Sequence, residues 1–66
     1  MKSLIRDLDT GLFYREPGHW VESHFEATDF KNPEVALDKA ATVGKRNLEL
    51  FVADDKGQPV WGHRIQ

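Results

Sequence analysis

The sequence predicts an α+β fold: an antiparallel sheet of four or five strands in the order β-β-β-α-β-β, with one helix packed on one face. Three observations predict it. Short segments rich in Leu, Ile, Val and aromatic residues alternate with turn residues, as strands do. Only one stretch, opening at Asn32, has apolar residues at helical spacing with signals at both ends. Asp9, Thr10 and Gly11 near the start, and Asp54 to Gly57 near the end, are the kind of loop that closes a hairpin.

The first strand is expected over residues 3–8. Gly11 supplies a left-handed conformation at little steric cost, and Leu12, Phe13, Tyr14 and Arg15 return as the second strand. Glu16, Pro17 and Gly18 make the next turn. A third strand starts at His19 and either stops at Glu22 or runs on to Phe25, so its end is open. Ala27 and Phe30 are expected to tuck under the helix.

The helix is expected from Pro33 to Val43. Asn32 is a good N-cap, Pro33 sacrifices no hydrogen bond at the first helical position, and Glu34 faces the positive end of the dipole. Ala36, Leu37, Ala40, Ala41 and Val43 form its apolar stripe. Gly44 stops it, and Lys45 and Arg46 follow where cations suit the dipole. Residues 47–53 then read as a strand with Leu48, Leu50 and Val52 on one face and Glu49, Phe51 and Ala53 on the other. Residues 60–65 form the last strand, and Pro59 at its start marks it as an edge.

A 66-residue chain is one domain. A domain of this size buries only about 60% of the surface its unfolded chain exposes, so its stability margin is small. With no cysteine there is no disulfide and no thiolate metal site to staple it. What remains is a well-packed small core or an oligomer. No apolar run approaches the roughly 20 residues of a bilayer span, and the first residues have no apolar stretch of signal-peptide length; a cytoplasmic protein is expected. Nine basic against eleven acidic residues, spread along the chain, give no clustered Lys and Arg for a phosphate backbone. Seven aromatics argue against disorder.

Signatures of phosphate loops, dinucleotide turns, nucleophile elbows and zinc proteases are missing. Ser23 is followed by His24, but strand neighbours point to opposite faces, so adjacency does not pair them. A metal site would have to use His19, His24, His63 and a carboxylate such as Glu22; the alternative is three histidines beside aromatics. Asp7 with Asp9, and Asp54 with Asp55, read as turn formers rather than acid–base pairs. No catalytic residue, metal or cofactor is expected.

The aromatics carry the most information. If Leu48, Leu50 and Val52 face the helix, Phe51 faces away. Trp61 or Val60 then joins it from the last strand, and Phe13 or Tyr14 from the second. A sheet face with Phe13, Phe51 and Trp61, rimmed by Arg15 and Arg64, is the expected interface, for a second copy or for another protein. The alternative is that these rings pack on one another or under residues 20–30. Bases could also stack on such a face, but the charge balance is wrong for that ligand.

Leu4, Ile5 and Arg6, the run Thr10 to Phe13, Trp20, Ala27 with Phe30, the run Glu34 to Leu37, and Leu48 to Leu50 together resemble a group of short bacterial proteins with no assigned activity. That resemblance covers most of the chain and implies the fold alone. A weaker likeness is to HicB-type antitoxins, which run three strands into an Ala-Leu-rich helix start, here Pro33 to Leu37. Their Pro-Gly-Cys segment corresponds to Pro17, Gly18 and His19, with histidine in place of cysteine and a longer path to the helix. This likeness implies a dedicated toxin partner. The residues themselves support a non-enzymatic interaction module, self-associating through an aromatic sheet face or an edge strand, as the first expectation. An antitoxin-like or regulatory protein with one partner is the alternative.

Overall fold

The computed structural model describes residues 1–65. Its elements are β1 (Lys2–Asp7), β2 (Phe13–Arg15), β3 (His19–Val21), α1 (Pro33–Val43), β4 (Leu48–Ala53) and β5 (Pro59–Arg64). All five strands form one antiparallel sheet in the order β3-β2-β1-β4-β5, with β1 in the middle. The expected α+β architecture and element order are therefore present. The third strand ends at Val21 and does not reach Phe25.

The longest pairing is β1 with β4, from Lys2 opposite Ala53 to Asp7 opposite Leu48. Because strand side chains alternate, this register sorts the apolar residues into two layers. Ile5, Tyr14, Leu48, Leu50 and Val52 meet Ala36 and Ala40 of the helix. Leu4, Phe13, Phe51 and Ala53 form a second cluster on the other face, against Val21 and Ala27. Phe30 packs with the helix-side core as expected, whereas Ala27 crosses to the far side, because the chain wraps the sheet between residues 22 and 28.

The helix is set by local signals. Asn32 is extended, at φ −128°, and its side-chain oxygen accepts the Glu34 N–H at 2.8 Å. Gly44 closes the other end in the left-handed region at φ 75°, where a Cβ would be strained. Only Ala36 and Ala40 are fully buried; Leu37 and Ala41 of the expected stripe face outward. A single short helix touches the sheet along one line, and alanines bring it close. Lys45 does not serve the helix dipole. It turns to the sheet and pairs with Asp7 at 2.9 Å.

β2 is too short to flank all of β1, and residues 28–30 fill the space. Phe30 N–H donates to the Ser3 carbonyl at 3.0 Å, and Ser3 N–H donates to Asp29 Oδ1 at 3.1 Å. Asp29 Oδ1 also accepts Lys31 N–H at 2.8 Å, and Thr28 N–H donates to the Tyr14 carbonyl at 3.1 Å. This irregular segment thus satisfies backbone groups that a longer strand would otherwise pair. Among the described residues no helix is long and apolar enough to cross a membrane.

Candidate functional site

On the face away from the helix, Phe13 and Phe51 meet edge to face with centroids 5.3 Å apart, and each is 8% exposed. Both are roofed rather than open. The Arg6 guanidinium lies over them at 5.7 and 5.9 Å, a cation over two ring faces. His24 adds an edge contact to Phe13 at 6.1 Å and packs on Phe25 at 4.1 Å. The His24 ring also presses on the β4–β5 hairpin: a Cβ on Gly57 would fall inside it. His24 is therefore an inward wedge holding residues 22–27 against the second face. Among the described residues, its buried Nδ1 and the Nε of Arg6 have no hydrogen-bond partner.

Trp61 does not join these rings. It pairs with Val52, and residues directly opposite share a face, so Trp61 lies on the helix side. The reason is a bulge. Ala53 pairs with Pro59, a register that would set Trp61 opposite Phe51, but the shift between Ala53 and Val52 leaves Val60 over and moves Trp61 to the other face. There Trp61 lies beyond the reach of the helix, 50% exposed, and stacks on His63 with centroids 5.6 Å apart and planes 9° from parallel.

Arg15 and Arg64 are likewise apart. Arg15 is exposed at the end of β2, beside a shallow groove of about 400 Å³ that includes His19 and Trp20. Arg64 is on β5 opposite Glu49 and donates to Asn47 Oδ1 at 2.6 Å. The five expected interface residues thus divide into a covered pair, Phe13 and Phe51, with Arg15 apart on β2 and Trp61 and Arg64 on the β5 edge.

The open surface of the molecule is β5 itself. Every residue from Pro59 to Arg64 is exposed, including Val60 and Trp61 at 50% each. One side of the strand pairs with β4, and among the described residues no strand pairs with the other. Sheet edges usually carry devices against further pairing. Here Pro59 and the bulge protect only the start of the strand. A groove of about 360 Å³ runs along β5 at Gly62, lined on the far face by Arg6, Glu49 and Phe51.

The histidines do not converge. His19 is on β3 and His63 on β5, the two outer strands, four inter-strand steps of about 4.8 Å apart. Among the described residues no group of three or more His, Cys, Asp or Glu side chains comes close enough to hold a metal ion. Of the acidic turn residues, Asp7 is the surprise. It is 1% exposed and accepts the Lys45 ammonium at 2.9 Å and the Asp9 N–H at 2.9 Å. Burial pushes its carboxyl up, but Lys45, the Asp9 amide and the Thr10 hydroxyl outweigh that and hold it below the ordinary carboxylate value. Asp9 accepts from Asn47 Nδ2 at 3.0 Å instead of sharing a proton with Asp7. These are satisfied structural carboxylates. Sequence reasoning read Asp7 as a turn former; its one available signal was a position inside the expected first strand, next to buried Ile5.

Comparison with protein-family models, with curated proteins and with solved structures finds no match.

Proposed function

We propose that the protein is a non-enzymatic interaction module that self-associates as a dimer through the open edge of β5, acting in the cytoplasm. The observation that carries this reading is a six-residue edge strand, exposed along its whole length, with a Val and a Trp half out of solvent contact and half in it. An edge strand of that length offers the backbone donors and acceptors of its open side to another strand, and its exposed side chains add apolar area on pairing. The second sheet face, the other candidate interface, is closed by residues 22–27 and Arg6, which favours the edge over the face.

Native mass spectrometry of the untagged protein over a concentration series tests the reading. Wild type is expected to populate a dimer in the micromolar range. Trp61→Lys, with an unchanged far-ultraviolet circular dichroism spectrum, is expected to remain monomeric. A wild-type monomer at high micromolar concentration would overturn the proposal.

A further inference from the structure

We infer that the strand completing the β5 edge is β5 of a second copy, antiparallel, with Gly62 on the twofold axis, a register that presupposes the edge association proposed above. Symmetry sets the direction. An antiparallel neighbour lets the same edge of both copies pair about one twofold axis, residue i of one opposite residue j of the other and the reverse. A parallel neighbour does not close by a twofold.

The backbone sets the register. Ile65 N–H donates to the Leu48 carbonyl at 2.7 Å. Antiparallel ladders repeat every two residues, so His63 and Trp61 also turn their polar groups to β4, and Gly62 turns its N–H and C=O outward. Two Gly62 residues facing across the axis exchange both hydrogen bonds. Centred there, residues 59–65 of each chain oppose one another along their full length. Centring on Trp61 would bring in Gln58, whose N–H is already given to Asp54 Oδ1 at 2.9 Å.

Side chains fit the same register. Trp61 of each copy comes opposite the partner's His63 in a non-hydrogen-bonded pair, the closer of the two antiparallel spacings at about 4.5 Å between Cα atoms. The two intrachain Trp61–His63 stacks then join into one four-ring cluster on the helix side. On the far face, the bare Gly62 pair joins the two grooves over Gly62 into one trough across the axis.

Single cysteines introduced at 60, 61, 62 and 63 into this cysteine-free chain test the register under mild oxidation. Gly62→Cys is expected to cross-link at least tenfold faster than the others, because Cα atoms about 5.5 Å apart lie within disulfide reach. Its Cβ would come 2.9 Å from Glu49 Oε2, the movable end of a flexible side chain. Amide exchange on the unaltered protein provides the second measurement: the Gly62 N–H is expected to become protected as concentration rises. Fastest cross-linking at Trp61→Cys or His63→Cys, in a protein that still dimerises, overturns the register and leaves the edge association standing. A concentration-independent Gly62 amide in a proven dimer also overturns it. A monomer with no cross-linking at any position overturns both.

Discussion

The two edges of the sheet are built differently. The β3 edge is three residues long; His19 is exposed, but Trp20 and Val21 are half-buried, and Trp20 meets Tyr14 at 5.4 Å and lies under the Lys45 ammonium at 5.7 Å. The Tyr14 hydroxyl accepts the Gly18 N–H at 3.2 Å, which ties the β2–β3 turn back to the strand. The β5 edge is twice as long, and every side chain on it is exposed. A short edge with its aromatics folded into the core offers little template to another chain. A long exposed one offers a full ladder, and Pro59 with the bulge shields only its first residues. Contacts near β3 should therefore govern stability, and contacts on β5 should govern association.

Four substitutions or conditions separate those roles. Asp29→Ala strips a shared acceptor from the Ser3 and Lys31 N–H groups beside the short β2, and should lower unfolding free energy in urea by about 3 kcal/mol. Any direct effect on dimerisation, beyond unfolded protein, would break the division between the edges. Asp7→Asn should cost about 2 kcal/mol at neutral pH, since it removes the charge that pairs with Lys45 at a buried site. The acid dependence has a definite sign. The folded carboxyl lies below its unfolded value near 3.8, so its contribution is complete above that pH and fades as pH falls through the folded value. The wild-type advantage over Asp7→Asn should accordingly vanish in the acid limb of a stability–pH curve. Trp20→Ala should destabilise by about 1.5 kcal/mol through lost contact with Tyr14, while the mass distribution of the oligomer stays as in wild type. Smallest in stability is Trp61→Ala, within about 0.5 kcal/mol for the monomer because the ring is half exposed. Its dimer should nevertheless dissociate about tenfold more readily, equivalent to about 1.4 kcal/mol. Equal loss of stability and association at Trp61 would mean the β5 edge is part of the core after all.

What was legible in the sequence was whatever is fixed locally. The helix ends follow from Asn32, Pro33 and Gly44, each acting within one turn, and the β1–β2 and β4–β5 hairpins follow from their turn residues. The edge position of β5 could be read from Pro59. The two-layer split of β4 was also readable, since alternation needs only a strand. The rest depends on contacts between residues far apart in sequence. That β1 lies between β2 and β4 is a choice among strand pairings that no local signal makes. The burial of Asp7 depends on Lys45 arriving from beyond the helix. Asp29 reads as an ordinary loop residue until Ser3 is seen to need an acceptor. The face of Trp61 hinges on one leftover residue at Val60, and a shift of one residue reverses every side chain beyond it. His24 could not be placed from sequence for a related reason: its role is decided by the bare Gly57 across from it.

The central position of β1 has a consequence for how the chain acquires its shape. Lys2 pairs with Ala53, so β1 is completed by a strand that lies far along the chain, beyond the helix. Until β4 follows, Leu4 and Ile5, both fully buried in the end, have only a short hairpin partner and no helix over them. Such distant closure slows folding and leaves apolar strand exposed in the meantime. The folding chain is thus most vulnerable to mispairing at β1, and the step that ends this vulnerability is the docking of β4.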